Sequence, residues 1–307
     1  MTRHAFAILA HDQWELAEIL TRSLRHPDVR IFLHLNADNA SAVVKEHPAL
    51  ATATMVARTE VAWGTFTLLD AQLSLLAAAV AEETDYVHLL SGKDLLLKPI
   101  SQLIEFFDDH AGAEFVRVKS VADTASVQDR VSHFHVDTLV GGKNVDGPLG
   151  LGMRAAQKAS LAAQRVAGVD RTKAWGRPVR SGSPWFSVTS EMARYFVDHA
   201  SWARQHLRRT FVPEEFFYPT MVMHSPMHQN VYAGSRGQAA NLRHIRWDPG
   251  QRGHPHVWTG QDIDQLTTSS NLFARKFDMI TAPEAVAAVA AMSSPQGPSS
   301  QNPTGAQ

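Results

Sequence analysis

Apolar residues run unbroken from Ala5 to Ala10 (Ala-Phe-Ala-Ile-Leu-Ala), the pattern of a strand buried on both faces. The stretch 13–25 then places Leu16, Ala17, Leu20 and Leu24 three and four apart, which predicts a helix with one apolar stripe. The alternation repeats: 29–36 reads as a second buried strand, 40–46 as a helix and 53–57 as a short third strand. A helix over 68–83, a strand over 86–90, a helix over 100–109 and a strand around Phe115 follow. Strands alternating with helices predict an α/β fold with a mainly parallel central sheet and right-handed crossovers.

From 121 to 181 the periodicity weakens while Gly, Lys, Arg and His accumulate, so this span is expected to be an irregular insertion. Its Gly-Gly-Lys-Asn-Val-Asp-Gly run at 141–147 lacks the spacing of a phosphate-cradling loop. Order returns at 185–189, a strand leading into a helix over 190–199 with Thr189 or Ser190 available as N-cap. Pro213 opens a further helix whose first turn carries Glu214 and Glu215, where carboxylates suit the helix dipole. A strand at 242–247, a short helix at 262–266 and an Ala-rich helix at 283–292 complete the ordered chain. The Ser/Pro/Gln/Gly-rich stretch beyond is expected to be disordered.

Composition narrows the function classes. A chain of 307 residues can bury a large core, and 29 Lys and Arg against 30 Asp and Glu give no general attraction to nucleic acid. No run approaches the ~18 consecutive apolar residues of a membrane span, and the amino end does not read as a signal peptide. With no Cys, disulfides, thiolate metal sites and a Cys nucleophile are excluded. A cytoplasmic chain is the expectation.

The candidate chemistry begins at Asp85-Tyr-Val-His-Leu-Leu-Ser-Gly-Lys-Asp94, a strand ending in a Ser-Gly turn that delivers a carboxylate. Ligands of open α/β sheets bind beyond the carboxyl ends of the strands; a plain turn residue is the alternative for Asp94. The run Val-Ala-Trp-Gly-Thr-Phe occupies 61–66 and Glu-Phe-Val-Arg-Val occupies 114–118. Gly-Ser-Pro-Trp-Phe-Ser-Val-Thr lies at 182–189, Val-Pro-Glu-Glu-Phe-Phe at 212–217 and Asn-Leu-Phe-Ala-Arg-Lys-Phe-Asp at 271–278. In this order and at these separations they resemble the Core-2/I-branching family of glycosyltransferases, which includes the peptide O-xylosyltransferases. The resemblance covers about 4–120 and 181–280.

It implies a GT-A-like fold: 1–120 as the nucleotide-sugar-binding half, 121–181 as the insertion, 182–280 as the acceptor and catalytic half, and 281–307 as a terminal helix and tail. It further implies inverting, metal-independent transfer of N-acetylglucosamine or xylose from a UDP-sugar to a hydroxyl of a glycan, lipid-linked sugar or protein. Glu215 matches the catalytic base and Lys276 the lysine set against the diphosphate, with Arg252 or His254 as a second cation. His11, Asp12, His34, Asn36, Trp63, Gly64 and Asp94 fall at the donor, and Trp185 and Glu214 on the acceptor side. Two positions depart from the family pattern: Asn36 stands where relatives carry Asp, and Thr65 replaces a second Gly. The histidines His133 and His135 invite a metal reading, but no third ligand stands at a suitable spacing.

The lack of Cys points to a bacterial-type soluble member. The basic 202–209 segment is either a solvated helix face or a contact with the inner face of a membrane. Two rival expectations are a catalytically degenerate glycan- or nucleotide-binding protein of the same fold and a metal-dependent transferase.

Overall fold

The computed structural model describes residues 1–120, 125–137, 145–235, 237–248 and 254–294. Arg252, the 141–144 run and the expected disordered tail from 295 lie outside the described residues.

The first half follows the predicted alternation: β1 (His4–Ala10), α1 (Trp14–Ser23), β2 (Val29–Leu35), α2 (Ala40–Glu46), β3 (Thr54–Met55), α3 (Phe66–Ala79) and β4 (Tyr86–Ser91). After β5 (Leu95–Leu96) and α4 (Ile100–Asp109) come β6 (Val118–Ser120), α5 (Ala125–Ser132), α6 (Gly147–Val166), β7 (Arg180–Gly182) and β8 (Phe186–Thr189). The remainder comprises α7 (Ser190–Asp198), α8 (Ala200–His206), α9 (Glu214–His224), β9 (Arg243–Ile245), α10 (Ile263–Thr267), β10 (Phe273–Arg275) and α11 (Pro283–Met292).

The central sheet has the order β3-β2-β1-β4-β8, parallel through β4, with β8 antiparallel at the edge. The mainly parallel α/β architecture is therefore present. Along β1, Phe6, Ile8 and Ala10 enter the core on one face with Leu16 and Leu20 of α1. Ala5, Ala7 and Leu9 enter the other with Leu69, Leu73 and Leu76 of α3. Because the first crossover lies on one face and the β3-to-β4 crossover on the other, strand order reverses between β1 and β4. Such a switch point opens a crevice at the carboxyl ends of the two strands.

A smaller sheet, β5-β10-β9, is fastened to the central one by the fully buried Arg243. Its guanidinium donates to the Ser187 hydroxyl and to the carbonyls of Phe186 and Asn241, and lies over the Phe273 ring. Ser187 in turn bonds His88, and His88 bonds His4. Burial lowers the His4 pKa to about 4.

Two expectations are corrected here. The strand around Phe115 is limited to isolated bridges: Phe115 exchanges both backbone bonds with Ser187 at 2.8 and 3.0 Å, then the chain turns away and 118–120 pairs with β7. The span 121–181 is largely helical where it is described. The 20-residue helix α6 buries Gly150 alone among its residues, so it is written in Ala, Gln, Lys and Arg, which favour helix without an apolar stripe.

Candidate active site

The switch-point crevice is assembled from three loops. Ser91 and Gly92 turn the chain out of β4 directly against β1, where a Cβ on Gly92 would meet the Ala10 Cβ at 2.7 Å. That approach sets Lys93 beside the residues following β1, and its ammonium lies 2.7 Å from the Asp12 carboxylate. The third loop leaves β10: the Phe277 N–H donates to the Lys93 carbonyl, while the Gln13 side chain donates to Asp278 and accepts from the Met279 N–H. Lys276 stands between these ties. Its backbone is held by the His256 carbonyl and the Trp258 N–H, and His256 is itself gripped by Asp248 at 2.7 Å and Asp262 at 2.9 Å. Thus the sequence-predicted His11, Asp12 and Lys276 meet in one place.

The crevice is rich in positive charge. Burial lowers the Lys276 pKa, and the neighbouring Lys93 and Arg275 lower it further. The His11 pKa is lowered too, by burial first and then by Lys93, Lys276 and Arg275, against the nearby Asp12. No carboxylate among the described residues lies within ion-pair distance of the Lys276 ammonium. Converging cations with one partly exposed counter-ion suit an anionic ligand.

Asp94 is not at the surface of this crevice. It is fully buried: one oxygen accepts the Ser91 N–H at 2.8 Å and the other faces the Arg275 guanidinium at 3.4 Å. The guanidinium in turn covers the Trp185 ring, 4.4 Å from its centroid. Burial raises the Asp94 pKa, opposed by Arg275. Asp94, expected at the donor, here closes the turn and anchors Arg275 under the half-buried Trp185.

The other donor-side candidates line the 59–65 segment. His34 accepts the Thr59 N–H, and Asn36 grips Val61 from both sides, its Oδ1 accepting the N–H at 3.2 Å and its Nδ2 donating to the carbonyl at 3.1 Å. An ionised Asp there has no donor for the Val61 carbonyl, so the departure at 36 serves this loop. Thr65, the other departure, caps α3: its hydroxyl accepts the Thr67 N–H and bonds the Ala62 carbonyl. Trp63, 44% exposed, packs edge-on to Phe211 at 5.5 Å and lies 6.4 Å from the His254 ring.

The acidic pair is delivered by a strained turn. Val212, β-branched and buried, holds φ at +50°, and its N–H bonds the Gly64 carbonyl at 3.0 Å. That conformation is costly for such a residue and is kept where the surroundings enforce it. Pro213 then starts α9 with two carboxylates in different environments. Glu214 is buried beside Tyr218, and burial together with Glu215 pushes its pKa up to about 8. Glu214, expected on the acceptor side, is a buried acid at the first turn of α9. The Glu215 side chain is 33% exposed and accepts the Arg130 guanidinium at 2.7 Å, which also lies over Phe216.

His133 and His135 are engaged with the Asp129 carbonyl, and His135 also with Gln157. Among the described residues no three His, Asp or Glu converge as a metal-ligand set.

A family model for the Core-2/I-branching enzyme matches residues 4–270. The chain belongs to that family. Its match to the Arabidopsis thaliana beta-glucuronosyltransferase GlcAT14A is 30% identical over 106 residues, covering 32% of this chain. The chain spans 22% of that relative's length. Two solved structures of S. aureus TarS 1–349, with UDP and without it, align at 11% and 12% identity with TM-scores of 0.27 and 0.26. Each alignment covers 48% of this chain and 50% of the other.

Three residues of this family member escaped the sequence reading. Lys93 stands beside Asp94 in the 85–94 motif, but its place against the residues following β1 is set by the fold. Arg275 stands next to Lys276 in the 271–278 motif, yet its side chain is largely withdrawn from water against Asp94. Arg130 lies 85 positions from Glu215, in a span without periodicity, and nothing local announces the pairing.

Proposed function

We propose that this chain is an inverting, metal-independent glycosyltransferase using a UDP-sugar. The observation carrying this reading is a cationic crevice at the β1/β4 switch point; a partly exposed Glu215 follows the Val212 turn that is tied to Gly64. Glu215 takes the proton of an acceptor hydroxyl as its oxygen attacks the anomeric carbon from the face opposite the diphosphate. The bond from that carbon to the phosphate oxygen breaks, UDP leaves with the electron pair, and configuration inverts. Lys276 stabilises the departing charge in the place a metal occupies in other designs; one cation at ~4 Å and an effective dielectric near 20 contributes roughly 4 kcal/mol before desolvation. Arg130 orients the base, and Trp185, backed by Arg275, borders the acceptor.

The donor sugar is N-acetylglucosamine or xylose in this reading. UDP-glucuronic acid joins the test because the plant relative is a glucuronosyltransferase. The two departures that favoured a degenerate binding protein, Asn36 and Thr65, have structural tasks of their own. The test is UDP release by the purified chain from a panel of UDP-sugars, with chelator present throughout. Release from one donor that is insensitive to chelator and lost in Glu215→Gln is the expected result. Activity abolished by chelator and restored by a divalent cation overturns the metal-independent part.

A further inference from the structure

The Asp12–Lys93 pair has features that a simple surface ion pair lacks. Lys93 is 5% exposed, so its ammonium has been taken out of water, whereas the Asp12 side chain is 44% exposed. The pair stands at the strand-order reversal, on the two loops that leave β1 and β4. Lys93 is fixed there, since Gly92 lets its loop lie on Ala10 and its carbonyl is tied to Phe277. Asp12 precedes Gln13, whose side chain holds the loop bearing Lys276. His11 lies 3.4 Å from the other Asp12 oxygen. Among the described residues, Asp12 is thus the carboxylate paired with Lys93 and His11, and it occupies the Lys93 ammonium from the open side of the crevice.

We propose that Asp12 is an internal counter-ion that a diphosphate displaces: the incoming phosphate oxygens take over the Lys93 ammonium, which becomes a second cation of the site beside Lys276. The inference rests on the UDP-sugar reading, and it changes the role of Asp12 from a ligand of the nucleotide to a competitor of its phosphates. It also gives the second cation to the β4 loop, within the described residues, in place of Arg252 or His254. The exchange makes and breaks no covalent bond: one anion replaces another on Lys93, and the released carboxylate turns to solvent.

Calorimetric titration of UDP, uridine and inorganic pyrophosphate into wild type, Lys93→Met, Lys93→Arg and Asp12→Asn tests it. Lys93→Met should weaken UDP and pyrophosphate about tenfold or more, and Lys93→Arg should restore most of that, as expected for a charge-assisted contact. Asp12→Asn should tighten both about three- to tenfold by removing the competing charge, with uridine unchanged throughout. Weaker UDP binding by Asp12→Asn, or Lys93→Met within twofold of wild type, overturns the proposal. If Lys93→Met does not fold, the sign of the Asp12→Asn effect decides. Pyrophosphate bound with these signs while UDP is not bound upholds the anion site and rejects the UDP-sugar reading. No binding of either ligand by folded wild type overturns both.

Discussion

The crevice at the ends of β1 and β4 and the ledge at the start of α9 are built in opposite ways. In the crevice, regular strands end and short loops cross-brace one another, so cations are fixed by packing: Lys93 on Asp12, Arg275 on Asp94. On the ledge, a left-handed Val212 and a proline deliver two carboxylates from an irregular approach, and one is met by an arginine from a distant helix. Under the proposed function the difference separates binding from chemistry: fixed positive charge suits a ligand that must be held, whereas a carboxylate at the rim suits a proton that must move.

The sharpest break of this comparison is at Glu215. Replacing it by Gln should lower turnover by about 10² to 10⁴, the usual range for a positioned general base, with the protein still folded. Turnover within fivefold of wild type would move the base elsewhere. Next in size is the brace beneath the crevice. Asp94→Ala leaves the Arg275 guanidinium buried without its partner, and should cost about 3–5 kcal/mol in urea unfolding. The double variant Asp94→Ala/Arg275→Met should regain much of it, and no regain would show that the pair is not what holds the turn.

Glu214 sharpens the ledge side. Its folded pKa of about 8 lies above its unfolded value, so the neutral acid is the form the fold favours. Its contribution to stability is complete below pH ~4.5 and is lost as pH rises through about 8. Wild type should therefore lose stability relative to Glu214→Gln between pH 5 and 9, by a few kcal/mol on the order of the shift. Parallel pH curves would place Glu214 in water. The smallest effect belongs to the loop between the two regions. Thr65→Ala removes the α3 cap and should cost about 1 kcal/mol in thermal unfolding, whereas a second-site loss of turnover without loss of stability would give Thr65 a direct part in donor binding.

Legibility in the sequence follows the same division. Buried strands announce themselves, and β1, β2 and β4 with the helices between them are readable because most of their side chains are apolar on both faces, with His4, His34 and His88 among the buried exceptions. The helix α6 was not, since a helix lying mostly in solvent carries no apolar stripe. Motif reading located Lys276 and the Glu214–Glu215 pair, but not which acid is buried, because that depends on Tyr218 and the packing behind α9. Asp94 was singled out for standing at a strand tip; its removal from the surface depends on Arg275, some 180 residues later.

The division between binding and chemistry is tested most directly by measuring UDP affinity and donor turnover on the same preparations of wild type, Glu215→Gln and Lys276→Met. Glu215→Gln should bind UDP within twofold of wild type while losing turnover, and Lys276→Met should bind UDP at least about tenfold more weakly. Loss of UDP binding in Glu215→Gln, or wild-type UDP affinity in Lys276→Met, would contradict it.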